Sequence, residues 1–218
     1  MKVTLLNACH YGGTGNGERL TNKAAAMCVG KVGTESSNIH LQAAVASGHF
    51  SILEHLPLTW LVEYVSRALT HQLVRHRIAS YSQLSQRYAK VDTDSGGLHN
   101  WYVIPESIAN DSFYLTQYKE LMIEIAALYR SMCQNKIPGE DARFILPNAC
   151  HTSIIVTMNA RSFLEACQKR LCNKAQWEIR ELFGKMRDSI ETVYPTVYKL
   201  ANTKCHTTGC TERNPCSV

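Results

Sequence analysis

Arg75-His76-Arg77-Ile78-Ala79-Ser80-Tyr81-Ser82-Gln83-Leu84-Ser85-Gln86-Arg87-Tyr88 is the stretch around which the chain is organised. Three arginines, a histidine, three serines, two glutamines and two tyrosines share fourteen residues, with only Ile78, Ala79 and Leu84 apolar. So many donors do not belong in a core, because every buried polar group needs a partner. From Ser66 onward, Ala68, Leu69, Leu73 and Val74 fall at helical spacing. The helix they predict runs into Arg75-His76-Arg77, where the macrodipole favours cations. A solvated helix end would account for that much. The density of guanidinium forks and hydroxyls points further, to a phosphate or another planar anion held bidentately, a task in which Lys does not replace Arg.

Upstream, residues 3–7 read as a short strand, followed by Gly12-Gly13-Thr14-Gly15-Asn16-Gly17. This run has no Lys-Ser/Thr after it and misses the G-x-G-x-x-G spacing, so it reads as a flexible turn and not as a phosphate loop. Residues 24–29 favour a short helix ending near Gly30, and Ser37 or Asn38 caps a second helix that stops at Gly48. Residues 58–65, rich in β-formers, predict a strand. Downstream come a short strand at 102–104 before Pro105, a long helix over 112–135 ended by Pro138-Gly139, and a buried β-branched strand at 153–158. Helices over 160–170 and 175–193 flank the polar Cys172-Asn173-Lys174. Strands mixed with long helices, without regular βαβ alternation, predict an α+β fold.

The chain has 218 residues, 45% hydrophobic and 19% charged. A chain of this length buries roughly 70% of the surface its unfolded form exposes, which excludes disorder and a small disulfide scaffold. No run approaches the roughly 20 apolar residues of a membrane span, and the opening is too short for a signal-peptide core. The expectation is a cytoplasmic, unprocessed protein with no membrane association. Nine cysteines without a secretion signal read as reduced thiols or a metal site. The formal net charge of +5 is mild and suits anionic small ligands as well as nucleic acid. Residues 1–201 are read as one domain and 202–218 as an appended tail carrying Cys205, His206, Cys210 and Cys216. The tail lacks a C-x-x-C pair, so it reads as thiol-bearing ahead of zinc-binding, and no residue is assigned to a metal.

Arg-His-Arg, seven residues, Ser, one residue and Arg, running from Arg75 to Arg87, resembles the signature of the flavin-dependent thymidylate synthases. Other blocks agree in order and spacing: Gly48-His49-Phe50-Ser51-Ile52-Leu53-Glu54-His55, Glu140-Asp141-Ala142-Arg143-Phe144-Ile145-Leu146-Pro147, Asn159-Ala160-Arg161-Ser162, and Arg170 through Ala175-Gln176-Trp177-Glu178-Ile179-Arg180. The resemblance covers residues 38–200. It implies mixed helices around a central antiparallel sheet with no Rossmann domain. It also implies a homotetramer with shared active sites that makes dTMP from dUMP. The carbon would come from 5,10-methylenetetrahydrofolate and the reducing equivalents from NADPH through FAD.

Residue by residue, the resemblance assigns His49, Ser51, Arg75, His76, Arg77, Gln83, Asn159, Ala160, Arg161 and Glu165 to FAD. It assigns Gln72, Leu73, Val74, Arg75, Gln83, Leu84, Ser85, Gln86, Arg87, Arg143 and Arg170 to dUMP. Arg170 is the catalytic residue, a cation that favours ionisation of the uracil at N3. Three positions depart from the commonest family pattern. Gln83 stands where many members carry Glu, Glu165 where a flavin-binding Asn often lies, and Lys174 where His or Arg is frequent. Ser85 reads as a phosphate or base contact more than as a nucleophile, because no base and orienting group are evident nearby. His55 and His71 read as structural histidines. A nucleic-acid-binding protein would use the same arginines on a phosphate backbone, but no second basic cluster of similar density supports it. A catalytically dead flavoprotein relative is disfavoured by the intact Arg75, Arg77, Arg87, Arg143 and Arg170.

Overall fold

The computed structural model describes residues 1–7, 17–31, 38–93, 101–207, 209 and 210. The glycine run from Gly12 to Asn16 and the last cysteine, Cys216, lie outside the described residues. In chain order the elements are β1 (Lys2–Leu5), α1 (Arg19–Cys28), α2 (Ile39–Ala46), a 3-10 segment (Phe50–His55), β2 (Pro57–Ser66), α3 (Arg67–Leu73) and β3 (Ser80–Gln83). There follow α4 (Glu106–Ala109), α5 (Ser112–Gln134), α6 (Gly139–Ala142), a 3-10 turn (Arg143–Ile145), β4 (His151–Asn159), α7 (Ala160–Arg170), α8 (Trp177–Asp188), α9 (Pro195–Leu200) and α10 (Lys204–Thr207). The strands form one four-stranded antiparallel sheet in the order β1-β2-β4-β3, so the α+β expectation holds.

The two long strands follow the period-two rule that buries one face. Leu58, Trp60 and Val62 of β2 are buried, as are Thr152, Ile154, Val156 and Met158 of β4. The alternation breaks at Tyr64, whose φ of 59° lies in the left-handed region that costs a non-glycine residue about 1–3 kcal/mol. Val65 and Ser66 are then buried in succession. The Ser66 hydroxyl accepts from the Leu69 N–H at 2.9 Å, which caps the start of α3.

The chain divides into two compact units. One comprises Met1, Glu63–His71 and Ser82–Ile154, and the other Lys2–Val62, Gln72–Tyr81 and Ile155–Val218. In the first, α5 packs Met122 and Ala126 against Trp101, Tyr102 and Cys150. In the second, the Trp60 ring lies 5.1 Å from Phe163, which stacks on Phe183 at 6.1 Å. The buried Glu18 carboxylate joins distant parts of this second unit. It accepts from Thr196 N at 2.6 Å, Thr196 Oγ1 at 2.8 Å, Val197 N at 3.3 Å and Asn38 Nδ2 at 3.3 Å. Two of those donors are first-turn amides of α9, which no intrahelical carbonyl can satisfy.

Local readings fare unevenly. The helix read over 160–170 is α7, and the long helix over 112–135 is α5. Residues 102–104 form only an isolated bridge, Tyr102 with Cys150. The helix read over 175–193 is shorter. Its start is set by Gln176, whose side chain accepts from Ile179 N at 3.0 Å. It stops at Asp188, and Tyr194, at φ −133° and ψ 66°, is out of the helical region ahead of Pro195, which opens α9. The helix read into Arg75-His76-Arg77 ends at Leu73. Strand β3, polar throughout, had no apolar alternation to reveal it.

Candidate active site

In the first unit, Glu140 brings two of the singled-out arginines together. Arg87 Nε meets the Glu140 carboxylate at 2.6 Å, and Arg143 Nε donates to the Glu140 backbone carbonyl at 3.1 Å. The Arg87 guanidinium also lies 5.3 Å from the centre of the Tyr88 ring, within cation–π range. Gly139 packs closely here, since a Cβ would come to 3.2 Å from the Arg87 carbonyl, tighter than an ordinary contact. Arg67, a cation the sequence reading did not single out, faces Arg143 and reaches the Leu84 carbonyl at 3.4 Å, and burial lowers its pKa.

Gln83 donates to Thr70 Oγ1 at 2.9 Å and to Thr152 Oγ1 at 3.3 Å. Thr70 spends its own proton on the Arg67 carbonyl at 3.0 Å, so it needs a donor beside it. An amide supplies that donor and an ionised carboxylate would not, which accounts locally for Gln in place of Glu. Gln86 donates to Cys150 Sγ at 3.4 Å, and burial pushes that thiol up to about 11. Leu84 N–H continues the β3 ladder onto Ser153 at 2.9 Å. Ser85 Oγ accepts from the Arg87 N–H at 3.2 Å, and no histidine or carboxylate is bonded to it among the described residues.

In the second unit, Arg170 at the C-terminal end of α7 donates to the Gln72 carbonyl at 3.3 Å. Both line a cavity of about 460 Å³ with Gln168, Lys169, Cys172, Lys174, Ala175, Gln176, Lys204, Cys205 and Cys210. The tail thus contributes to the cavity wall around Arg170. Among the described residues no group of three His, Cys, Asp or Glu side chains is placed to hold a metal ion.

His76 Nε2 lies 2.7 Å from Ser162 Oγ, which donates to the Ile78 carbonyl at 2.6 Å. Burial, followed by Lys169 and Arg170, lowers the His76 pKa, while Glu165 and a hydrogen bond to Ser162 oppose the shift. The Tyr81 hydroxyl donates to the carbonyls of His76 at 2.7 Å and Leu73 at 3.1 Å. Burial pushes this phenol up to about 12, with Arg170 opposing, so it remains a donor at neutral pH.

A smaller cavity of about 240 Å³ is lined by Glu54, Ile78, Asn159, Arg161, Ser162 and Glu165. Asn159 caps α7 through Oδ1, which accepts from Ser162 N at 2.8 Å. Arg161 is held by Glu54 at 2.6 Å and by Glu165 at 3.3 Å. A third cavity, about 740 Å³, is lined in part by Ser51, Ile52, Glu54 and His55, so Glu54 is common to two cavities. His49, Arg75, Arg77, His55 and His71 are exposed, while Leu73 at 1% and Ala160 at 0% are sealed in the core. Sequence reasoning assigned no part to Arg67, Tyr81, Ser162 and Glu140 in holding the singled-out residues, although Tyr81, Ser162 and Glu140 stood inside runs already singled out.

Residues 12–196 match the family model described as thymidylate synthase complementing protein. The chain is 39% identical to the flavin-dependent thymidylate synthase of Geobacter sulfurreducens over 97% of its own length and 91% of the relative's. It is 37% identical to that of Clostridium tetani over 91% and 88%. It is 48% identical to that of Pyrococcus furiosus over 69% and 61%. With a signature run that continues through β3 into Arg87 and matches over nearly the whole chain, the protein belongs to the flavin-dependent thymidylate synthase family.

Proposed function

We propose that the protein converts dUMP to dTMP. The methylene group comes from 5,10-methylenetetrahydrofolate and the reducing equivalents from NADPH through bound FAD. The observation that carries this reading is the setting of Arg170, half-buried, bonded to the Gln72 carbonyl and placed in a cavity with Lys169, Lys174 and Lys204. A fixed cation there favours loss of the uracil N3 proton. The resulting electron density at C5 is what attacks the one-carbon unit. In the first unit Arg87 and Arg143, gathered at Glu140, grip the nucleotide phosphate through charge-assisted bonds, and Gln83, Leu84, Ser85 and Gln86 are that unit's further dUMP contacts; Gln72 and Val74 are those of the second unit. Leu73, sealed in the core, contributes through its backbone.

The residues present suit a flavin. His76, the Asn159 amide and Arg161 supply directional polar groups for the edge of an isoalloxazine, and exposed Arg75 and Arg77 suit a pyrophosphate. His49 and Ser51 complete the set, with Ala160 contributing through its backbone. Glu165 acts by holding Arg161 at 3.3 Å in place of a direct contact to the ring. FAD supplies the hydride, which no side chain can store. The active form is a cytoplasmic homotetramer with shared sites. Exposed Phe113, Tyr114, Leu121, Ile123 and Leu128 on α5 offer the apolar surface that self-association covers. Among the described residues no helix is long and apolar enough to cross a membrane.

An anaerobic assay of the FAD-supplemented protein tests the reading. NADPH bleaches the flavin, and dTMP then forms on addition of dUMP and methylenetetrahydrofolate. A protein that holds no flavin and forms no dTMP overturns it and brings forward the nucleic-acid reading, which strongly salt-dependent binding would identify.

A further inference from the structure

Ser162, 2% exposed in the first turn of α7, makes two short hydrogen bonds with one hydroxyl. Its oxygen lies 2.6 Å from the Ile78 carbonyl and 2.7 Å from His76 Nε2. A carbonyl only accepts, so the single Ser162 proton goes to Ile78. What Ser162 offers His76 is a lone pair, and Nε2 must carry the hydrogen. We propose that Ser162 is a positioning residue that locks the His76 imidazole in its neutral Nε2–H tautomer and leaves Nδ1 as the ring's hydrogen-bond acceptor for the cofactor.

The surroundings select the neutral ring over the imidazolium. Lys169 and Arg170 from α7 face it with positive charge and outweigh Glu165 on the same helix, in a half-buried setting. The backbones that carry the two side chains are also held. Asn159 Oδ1 fixes the Ser162 backbone at 2.8 Å, and Tyr81 Oη fixes the His76 carbonyl at 2.7 Å. With backbone and ring both anchored, only the tautomer remains to be chosen, and Ser162 chooses it. An Nδ1 acceptor suits a flavin N–H, either N3–H or the N5–H present after reduction, whereas an Nδ1–H donor would suit the ring carbonyls. The inference rests on the reading of His76 as a flavin contact, but the tautomer is readable without flavin.

The experiment is long-range 1H–15N correlation on the full-length, flavin-free protein labelled with 15N-histidine, with His76 assigned from the signal lost in His76→Gln. The wild type is expected to show a neutral Nε2–H ring. Ser162→Ala is expected to mix the two tautomers and to weaken FAD binding about tenfold, the equivalent of one hydrogen bond. Ser162→Thr, which keeps a hydroxyl, returns both readouts toward wild type. Circular dichroism checks that the alanine variant folds, and Ser162→Cys, similar in size with a weaker donor, replaces it if it does not. An Nδ1–H ring in the wild type, or an unchanged tautomer in the folded alanine variant, overturns the lock. A wild type with the Nε2–H ring that binds no FAD upholds the lock and overturns the cofactor reading of His76.

Discussion

Arg87 and Arg143 are tied to one acidic residue, Glu140, through a carboxylate at 2.6 Å and a carbonyl at 3.1 Å, and the Arg87 side chain is 54% exposed. Arg170 and His76 are half-buried and tied to groups that carry no charge, the Gln72 carbonyl and the Ser162 hydroxyl. The two arrangements suit different work. An exposed ion pair is worth about 0–1 kcal/mol, so on the proposed function a phosphate would exchange for the Glu140 carboxylate at little cost. A half-buried donor held by backbone needs no reorganisation when charge develops beside it. On the proposed function, the first arrangement suits gripping a phosphate and the second suits stabilising developing charge.

Substitution at Arg170 puts most strain on this division. Arg170→Ala is expected to lower kcat for dTMP formation about 100- to 1,000-fold, the scale of removing a preorganised donor, with the fold retained in circular dichroism. Full activity would remove Arg170 from its role. Next, Arg87→Ala and Arg143→Ala are each expected to raise the dUMP KM about 10- to 100-fold with kcat largely kept. The double variant should fall short of the product of the two, since both side chains are tied to Glu140. Separate, multiplicative effects would show that the pair does not act together.

Glu140→Gln is smaller still. It should change the dUMP KM by no more than about threefold and global stability by under about 1 kcal/mol, read by urea titration. The smallest effect belongs to His76. Its folded-state pKa is depressed below the usual 6.5, so the unfolded chain binds the proton first as pH falls. Its contribution to stability should be fully present above pH 6.5 and lost between that value and the depressed folded pKa. Screening of this half-exposed ring keeps the effect under about 1 kcal/mol. His76→Gln should flatten that part of the stability profile, and an unchanged profile would mean that the ring is not held neutral.

The strands and helices that carry strong periodicity were legible in the sequence. The β-branched run became β4, the stretch 160–170 became α7, and Ser66 did open a helix. Strand β3 was hidden because Ser80, Tyr81, Ser82 and Gln83 have no apolar alternation, and its pairing comes from Leu84 on Ser153. The residue types of the candidate site stood out in the sequence too, since clustered arginines suit an anion by chemistry alone. Their partners were not. Ser162 and Ile78 lie 84 positions apart, and Glu18 and Thr196 lie 178 apart, separations that only the fold closes. The tail read as an appendage because it is polar, yet Lys204, Cys205 and Cys210 line the cavity that holds Arg170. The resemblance began at residue 38, whereas the family match begins at residue 12, and α1 lies in that added stretch.

The most direct measurement is release of tritium from 5-labelled dUMP by the anaerobic, FAD-loaded full chain supplied with NADPH and methylenetetrahydrofolate, run beside Arg170→Ala. The account predicts dUMP-dependent release from the wild type and its loss in the variant while the variant still binds flavin. Absence of release from a flavin-loaded wild type, or equal release from both proteins, would contradict it.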